Sequence, residues 1–320
     1  MPIRNDERLL VEAVEAFAAE TGCHLTRLSH DWLLILSRDG RNHTVFGYDI
    51  GLNSATTLRV CNDKAASFDV LRAAGVPMIE HRLFLEPIMH RFTGLPGNWV
   101  AMLQAFQAFG GDVVVKANEG TSGNDVHRVR SSAELERVAH LLLQSCRSIA
   151  MSPFVPIRTE KRFVLLDGDI QLAYAKMRPT VVGDGICRVR DLAASAMTPA
   201  LAEGFGEWLA GMSAGELDRV PDKGEEVPVG WRHNLGHGSA AAIIDPAEPD
   251  HEAAAGLARS AANAVGLRFG SVDVAETEAG PSVMEINAGV MLEHFGRGGP
   301  ERRAMAISIY RTALDRILAA

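Results

Sequence analysis

Residues 269–288 read FGSVDVAETEAGPSVMEINA. Two β-prone runs flank the turn segment TEAGP, residues 277–281, which marks a hairpin. A hairpin symmetric about Ala279 sets Asp273 directly opposite Glu285, and the two-residue period of a strand puts Asn287 on Glu285's face. Cβ atoms of such cross-strand pairs lie about 5 Å apart. Val272, Val274, Met284 and Ile286 then share the opposite, apolar face, which suits a core. Two carboxylates and an amide oxygen are hard donors, suited to Mg2+ with coordination positions left open for phosphate oxygens. Without a cation the paired carboxylates would repel. The other reading of this face is a solvated polar surface.

Upstream, DVVVKA (112–117) is a short apolar strand whose last polar residue is Lys116, and it runs into the Gly/Ser/Asn loop ANEGTSGNDV (117–126). A glycine-rich loop can turn backbone N–H groups toward phosphate oxygens and can close over them. Lys116 adds a compact positive charge, and Lys64 stands in the first turn of a helix in CNDKAASF. The loop matches neither G-x-x-x-x-G-K-[ST] nor G-x-G-x-x-G; on its own it reads equally as a surface hairpin loop. Arg162 (TEKRF), Arg178 (KMRP) and Arg232 (GWRHN) lie in or beside strands and turns. Their planar forks suit carboxylate and phosphate oxygens, although each alone fits a surface position. His237, between Gly236 and Gly238, is a loop histidine. No H-E-x-x-H, G-x-S-x-G or cysteine–histidine pattern is present.

The chain of 320 residues is 47% hydrophobic and 22% charged, an ordinary globular composition that excludes a largely disordered protein. A formal net charge of -8 gives no sign of a nucleic-acid footprint. The four cysteines (Cys23, Cys61, Cys146, Cys187) are scattered, with no C-x-x-C pair, which predicts reduced thiols. The start, MPIRNDERLLVEAVEAF, lacks a signal-peptide core, and no apolar run approaches the ~18 residues of a membrane span. The expectation is a soluble cytoplasmic protein without nucleic-acid or membrane partners.

Helices are expected over 6–21 (stopped by Gly22), from an Asn62 N-cap to Gly75, over 98–109, from a Ser131/Glu134 capping box to about Cys146, over 249–265 (stopped by Gly266), and from about Glu301. Strands are expected at DWLLILS, HTVFGY, MIEHRLFL, DVVVKA and VHRVR, and on either side of Asp167-Gly168. Helices and strands alternate throughout, so the class is α/β or α+β, with a boundary near 148–153.

The ordered series NDKAASFDVLRAAGVP, VVVKANEGTSGNDV, RTEKRFVLLDGD, MRPTVVGDG, VPDKGEEV, RHNLGHGSAA, GSVDVAE and MEINAG resembles the ATP-grasp ligases. The likeness is to the ATP-grasp portions of cyanophycin synthetase and bifunctional glutathione synthetase and covers roughly residues 55–300. It implies α+β lobes clasping ATP and Mg2+ (two ions, or Mn2+). Residues 1–55 would form a short pre-ATP-grasp region, 56–150 lobe 1 and 151–320 lobe 2. It implies Lys64 and Lys116 on the ATP phosphates, with Gly120, Thr121, Ser122 and Gly123 as the phosphate lid. Ser152, Phe154 and Val155 would belong to the adenine hinge, with Glu160 near the ribose. Asp273, Glu285 and Asn287 would hold the metals, and Arg162, Arg178 and Arg232 would face the acyl phosphate. The hinge reads AMSPFVP (150–156) where family members usually carry a glutamate.

The activity so implied is ATP-dependent ligation of a small carboxylate to an amine, with amino acids as substrates, through an acyl phosphate. A homodimer is compatible with it. The alternatives are a non-catalytic ATP-binding regulator and an ATP-grasp kinase.

Overall fold

The computed structural model describes residues 8–89, 98–120, 125–197, 206, 212–228, 233, 235 and 239–318. The chain runs α1 (Leu9–Thr21), β1 (His24–Leu28), β2 (Leu33–Arg38), β3 (Arg41–Phe46), α2 (Ala55–Asn62), α3 (Lys64–Ala73), β4 (Arg82–Leu85), α4 (Asn98–Ala108), β5 (Val113–Ala117), β6 (Val126–Val129), α5 (Ser132–Leu143) and β7 (Ser148–Pro153). It continues β8 (Thr159–Leu166), β9 (Asp169–Met177), β10 (Thr180–Val182), α6 (Val189–Ser195), α7 (Ala214–Asp218), β11 (Glu226–Pro228), β12 (Ala240–Ile243), α8 (Pro249–Val265), β13 (Phe269–Thr277), β14 (Gly280–Asn287), α9 (Glu293–Gly296) and α10 (Pro300–Leu318). These elements sort into two compact units, one of Met1–Asn42, Tyr174–Ile244 and Met291–Leu314, the other of His43–Ala173, Asp245–Val290 and Asp315–Ala320.

The second unit carries two sheets. In the first the order is β4-β7-β5-β6, with every pairing antiparallel. Alternation decides its faces. Val113 and Val115 point into a core with Phe84, Ile149 and Met151, closed by Met102 and Ala105 of α4 and by Leu135, Val138 and Leu142 of α5. Lys116 therefore stands on the opposite face, in a row with Ala150 and Leu83.

In the second sheet the order runs β9-β8-β13-β14. β8 and β9 are joined at Asp167 (φ 49) and Gly168 (φ 90), a left-handed two-residue turn that Asp-Gly favours. One face is covered by α8. Ala254, Ala255, Ala258, Ala261 and Ala262 are all buried there, and the absence of long side chains lets the helix approach the strands closely. Gly266 (φ 68) ends α8 in the left-handed conformation. The Thr57 hydroxyl donates to the Val265 carbonyl at 3.1 Å, satisfying one of its terminal acceptors.

In the first unit, β1 pairs with β2, the later half of β9 with β12, and β10 with β11, all antiparallel. Tyr174 stacks on Phe295 with ring centroids 5.3 Å apart. The buried Glu293 accepts the Leu9 N–H at 3.0 Å at the start of α1.

Several expectations need correction. Asn62 does not cap α3: it is the last residue of α2, a helix the pattern did not announce. The cap is Asp63, whose carboxylate accepts the Ala66 N–H at 2.8 Å. The capping box at Ser131 is half made. Ser131 accepts the Glu134 N–H, while the Glu134 carboxylate takes the Arg130 N–H instead. Residues 198–229 read as mixed helix and loop, and α7 falls there; β1, β7, β10, β11, β12, α6 and α9 were not anticipated. Met284 is not on the core face, for a reason taken up with the site. The linker TGLPGN has residues 93–97 outside the described set. No described helix is long and apolar enough to cross a membrane.

Candidate functional site

The hairpin of residues 269–288 is present, with Asp273 opposite Glu285 and Ser271 opposite Asn287. It reaches this pairing differently from the symmetric expectation. Thr277 pairs with Gly280 and Glu276 with Pro281 across a two-residue turn, so the ladder starts in another register. Continued regularly, that register would set Met284 opposite Asp273 and turn Glu285 to the core face. A β-bulge between Asp273 and Val274 supplies the missing residue. Val274 faces Val283 below the bulge, Asp273 faces Glu285 above it, and Val283 and Ile286 are the buried residues of β14 while Met284 is only half-buried.

The neighbouring strand completes a row. Arg162 of β8 is directly opposite Asp273, so Arg162, Asp273 and Glu285 run across three strands. Asp273 is buried, and Arg162 holds it with two parallel bonds, Nε–Oδ1 at 2.7 Å and Nη2–Oδ2 at 2.6 Å. Such a bidentate, charge-assisted pair is the form in which a buried carboxylate is tolerated. Glu160 is two residues back on Arg162's face and also buried. On the sheet's other face the buried Lys161 joins the Glu276 carboxylate (2.9 Å) to the Asp250 carbonyl (2.8 Å) at the start of α8.

Lys64 and Lys116 meet the same carboxylate row. Lys64 Nζ lies 3.5 Å from Glu285 Oε1 and donates to the Gly120 carbonyl at 2.7 Å and the Asn118 carbonyl at 3.3 Å. It thereby ties the first residue of the expected lid to β14. Asn118, two residues beyond Lys116, accepts the Ala65 N–H on its side-chain oxygen (3.2 Å) and so helps fix the N-terminus of α3. Lys116 keeps some accessible surface, but protein surrounds its ammonium, and its pKa is pushed down to about 8. Burial is the main cause; the charge of Glu285 opposes it, Lys64 adds to it and Glu160 opposes it.

His81 belongs to this neighbourhood and had no sequence signal. Its Nδ1 donates to the Ile79 carbonyl at 2.8 Å, which leaves Nε2 as a bare acceptor, buried and without a partner among the described residues. Burial, reinforced by Lys116 and Lys64, holds its pKa well below the ordinary histidine value, so the ring is neutral. The side-chain nitrogens of Asn118 and Asn287 are likewise buried donors without a partner among the described residues. Asn118 was legible in principle, since strand alternation carries it to Lys116's face.

The expected hinge follows β7. Ser152 is buried opposite Val114, Phe154 donates its N–H to the Asp112 carbonyl at 2.9 Å, and Val155 is half-buried. Arg128 is clamped by Asp112 and lies 3.3 Å over the Phe154 ring. Arg178 is in the first unit, half-buried just after β9. Thr121, Ser122, Gly123, Arg232 and His237 lie outside the described residues. Gly183, in the second glycine-rich loop the sequence suggests, VVGDGI (181–186), is pinned: its N–H donates to the Glu225 carbonyl and its carbonyl accepts the Gly224 N–H, both at 2.8 Å.

No family model matches the sequence, and no curated protein matches it. Solved structures do match. The bifunctional glutathione synthetase of Pasteurella multocida is similar at 17% identity and a TM-score of 0.52 over 91% of this chain. This chain spans only 42% of that protein's length. The D-alanine–D-alanine ligase of Bacillus anthracis is similar at 14% identity and a TM-score of 0.52, covering 83% of this chain and 68% of the ligase. Its complex with ATP gives 14% and 0.51, over 82% of this chain and 67% of the ligase. At these identities the likeness is one of fold, and the fold is the ATP-grasp fold.

Proposed function

We propose that this protein is an ATP-dependent carboxylate–amine ligase acting on small, amino-acid-like substrates. The observation that carries the proposal is the convergence of two lysines from separate elements, α3 and β5, on the Asp273/Glu285 row of the hairpin. Residues 56–150 and 151–320 are read as the two nucleotide-clasping lobes, with 1–55 preceding them.

In this reading Lys64 and Lys116 neutralise the triphosphate. The buried amide nitrogens of Asn118 and Asn287, which have no hydrogen-bond partner among the described residues, offer donors to its oxygens. Ser152, Phe154 and Val155 border the base, Glu160 the ribose, and Gly120 with Thr121, Ser122 and Gly123 cover the phosphates. The donor set fits a hard divalent cation: Asp273 and Glu285 face each other across one rung, and Asn287 follows on the same face. Mg2+ (or Mn2+) held there would neutralise charge on the transferring phosphoryl group.

The chemistry balances as follows. A substrate carboxylate oxygen attacks the γ-phosphorus, and the bond to the β,γ-bridging oxygen breaks, giving ADP and an acyl phosphate. An amine then attacks the acyl carbon. Phosphate leaves with the C–O electrons, the nitrogen loses a proton, and an amide remains. Little covalent work falls to the protein, whose task is positioning and charge neutralisation. Arg162, Arg178 and Arg232 are proposed to face the acyl phosphate and phosphates, and water is excluded so that the amine rather than hydrolysis consumes the intermediate.

The test is phosphate release from Mg·ATP over a panel of amino-acid carboxylates, with and without candidate amines, and mass spectrometry of the products. Amine-dependent release with an amide product supports the ligase. A stable phosphorylated product points to a kinase. Nucleotide binding with no turnover over the whole panel points to a regulator.

A further inference from the structure

Both carboxylates of the hairpin have cations beside them. Asp273 is clamped by Arg162 at 2.7 and 2.6 Å. Glu285 faces Lys64 at 3.5 Å. Glu160 and Glu285 both act on Lys116. Three positive side chains, Arg162, Lys64 and Lys116, therefore stand against three carboxylates, Asp273, Glu285 and Glu160. Among the described residues these charges balance, and a divalent cation arriving alone must displace a bidentate guanidinium or an ammonium anchored by two carbonyls. Among the described residues, no group of three or more acidic, histidine or cysteine side chains is arranged to hold a metal.

A polyphosphate changes the balance. Its oxygens compete for Lys64, Lys116 and Arg162, and each cation they draw away uncovers a carboxylate beside the incoming phosphates. We infer that Lys64 and Arg162 are internal counter-cations that close the acidic row to free divalent ions, so that the site accepts a metal only together with a nucleoside polyphosphate. This rests on the proposed reading of the hairpin as the metal-binding element. It adds an order of binding and gives Lys64 and Arg162 a second, opposing role toward the metal.

The experiment is Mn2+ titration read by water-proton relaxation, which separates protein-bound Mn2+ from Mn2+ free or on nucleotide. The wild-type protein alone should give no enhancement, and a non-hydrolysable ATP analogue should produce it. Arg162→Met, which keeps the stem and removes the charge, should raise Mn2+ affinity in the absence of nucleotide at least tenfold. Lys64→Met should do the same through Glu285 and serves as the second variant if the first fails to fold, as judged by circular dichroism. Asp273→Asn added to Arg162→Met should cancel the gain. Wild-type protein that binds Mn2+ equally well with and without the analogue overturns the inference and leaves the nucleotide–metal reading standing. So does the absence of any gain in both methionine variants. If the analogue brings no Mn2+ to the protein, both fall.

Discussion

Lys116 is an ammonium kept where water solvates it poorly, which gives it two readable consequences. Its folded pKa is about 8 against an ordinary 10.5. Below pH 8 both folded and unfolded chains carry the proton. Between 8 and 10.5 the unfolded chain holds a proton that the folded one has lost, so this group makes stability rise with pH across that window. A triphosphate beside Lys116 restores the charged form. Nucleotide binding at pH 8 should therefore take up roughly half a proton, and affinity should fall as pH rises further. Calorimetry in buffers of different ionisation enthalpy measures the uptake, and Lys116→Ala should abolish most of it and weaken ATP binding. Glu285→Gln is the companion change. Glu285 is half-buried on an edge strand, so the fold should survive with an unchanged circular dichroism spectrum while Mg·ATP turnover disappears; turnover at the wild-type rate would remove its assignment. At this scale the sequence was partly legible. Lys116 stood out as the charge ending an apolar run, Asp273 and Glu285 as a cross-strand pair, and Lys64 as a lysine in the first turn of a helix. His81 did not, because a histidine immediately before a strand looks like any other until burial and its Nδ1 bond to Ile79 define it.

The hairpin shows what an element-level pattern carries and what it omits. Symmetry about Ala279 paired the right carboxylates through the wrong ladder: the real turn is one residue tighter and the bulge restores the rung. Strand alternation cannot reveal a bulge, which is a local exception to that same alternation. The α8 boundaries were readable because Pro249 and Gly266 are chemical stops. α2 was hidden because it is only eight residues long and runs directly into α3 at Asp63. The hairpin's root should be its weak point. A Cβ on Gly270 would lie 2.6 Å from the Asn287 carbonyl oxygen and 2.6 Å from Leu267 Cδ1. Gly270→Ala should therefore cost about 1–3 kcal/mol, measured as a lower urea midpoint, and should disturb nucleotide binding through Asn287. Thr57→Val should cost about 1 kcal/mol by leaving the Val265 carbonyl without this donor, with nucleotide affinity unchanged.

Over the whole molecule, an acidic protein, at -8, is read as binding a highly charged anion. Local arrangement rather than net charge decides this. The lysines of α3 and β5 converge on one place, while other cations are spent in surface pairs such as Arg27 with Asp31 and Arg268 with Asp167. Mixed strands and helices announced an α/β or α+β class, and the fold is the ATP-grasp fold. The partition of the chain between its units was less legible, because both units are assembled from segments distant in sequence. The most direct test of the central claim is titration calorimetry of Mg·ATP into the wild-type protein, Lys116→Ala and Glu285→Gln. The account predicts saturable one-site binding to the wild type and at least a tenfold loss of affinity in each variant. Binding that both variants retain at full strength, or no binding by the wild type, would contradict it.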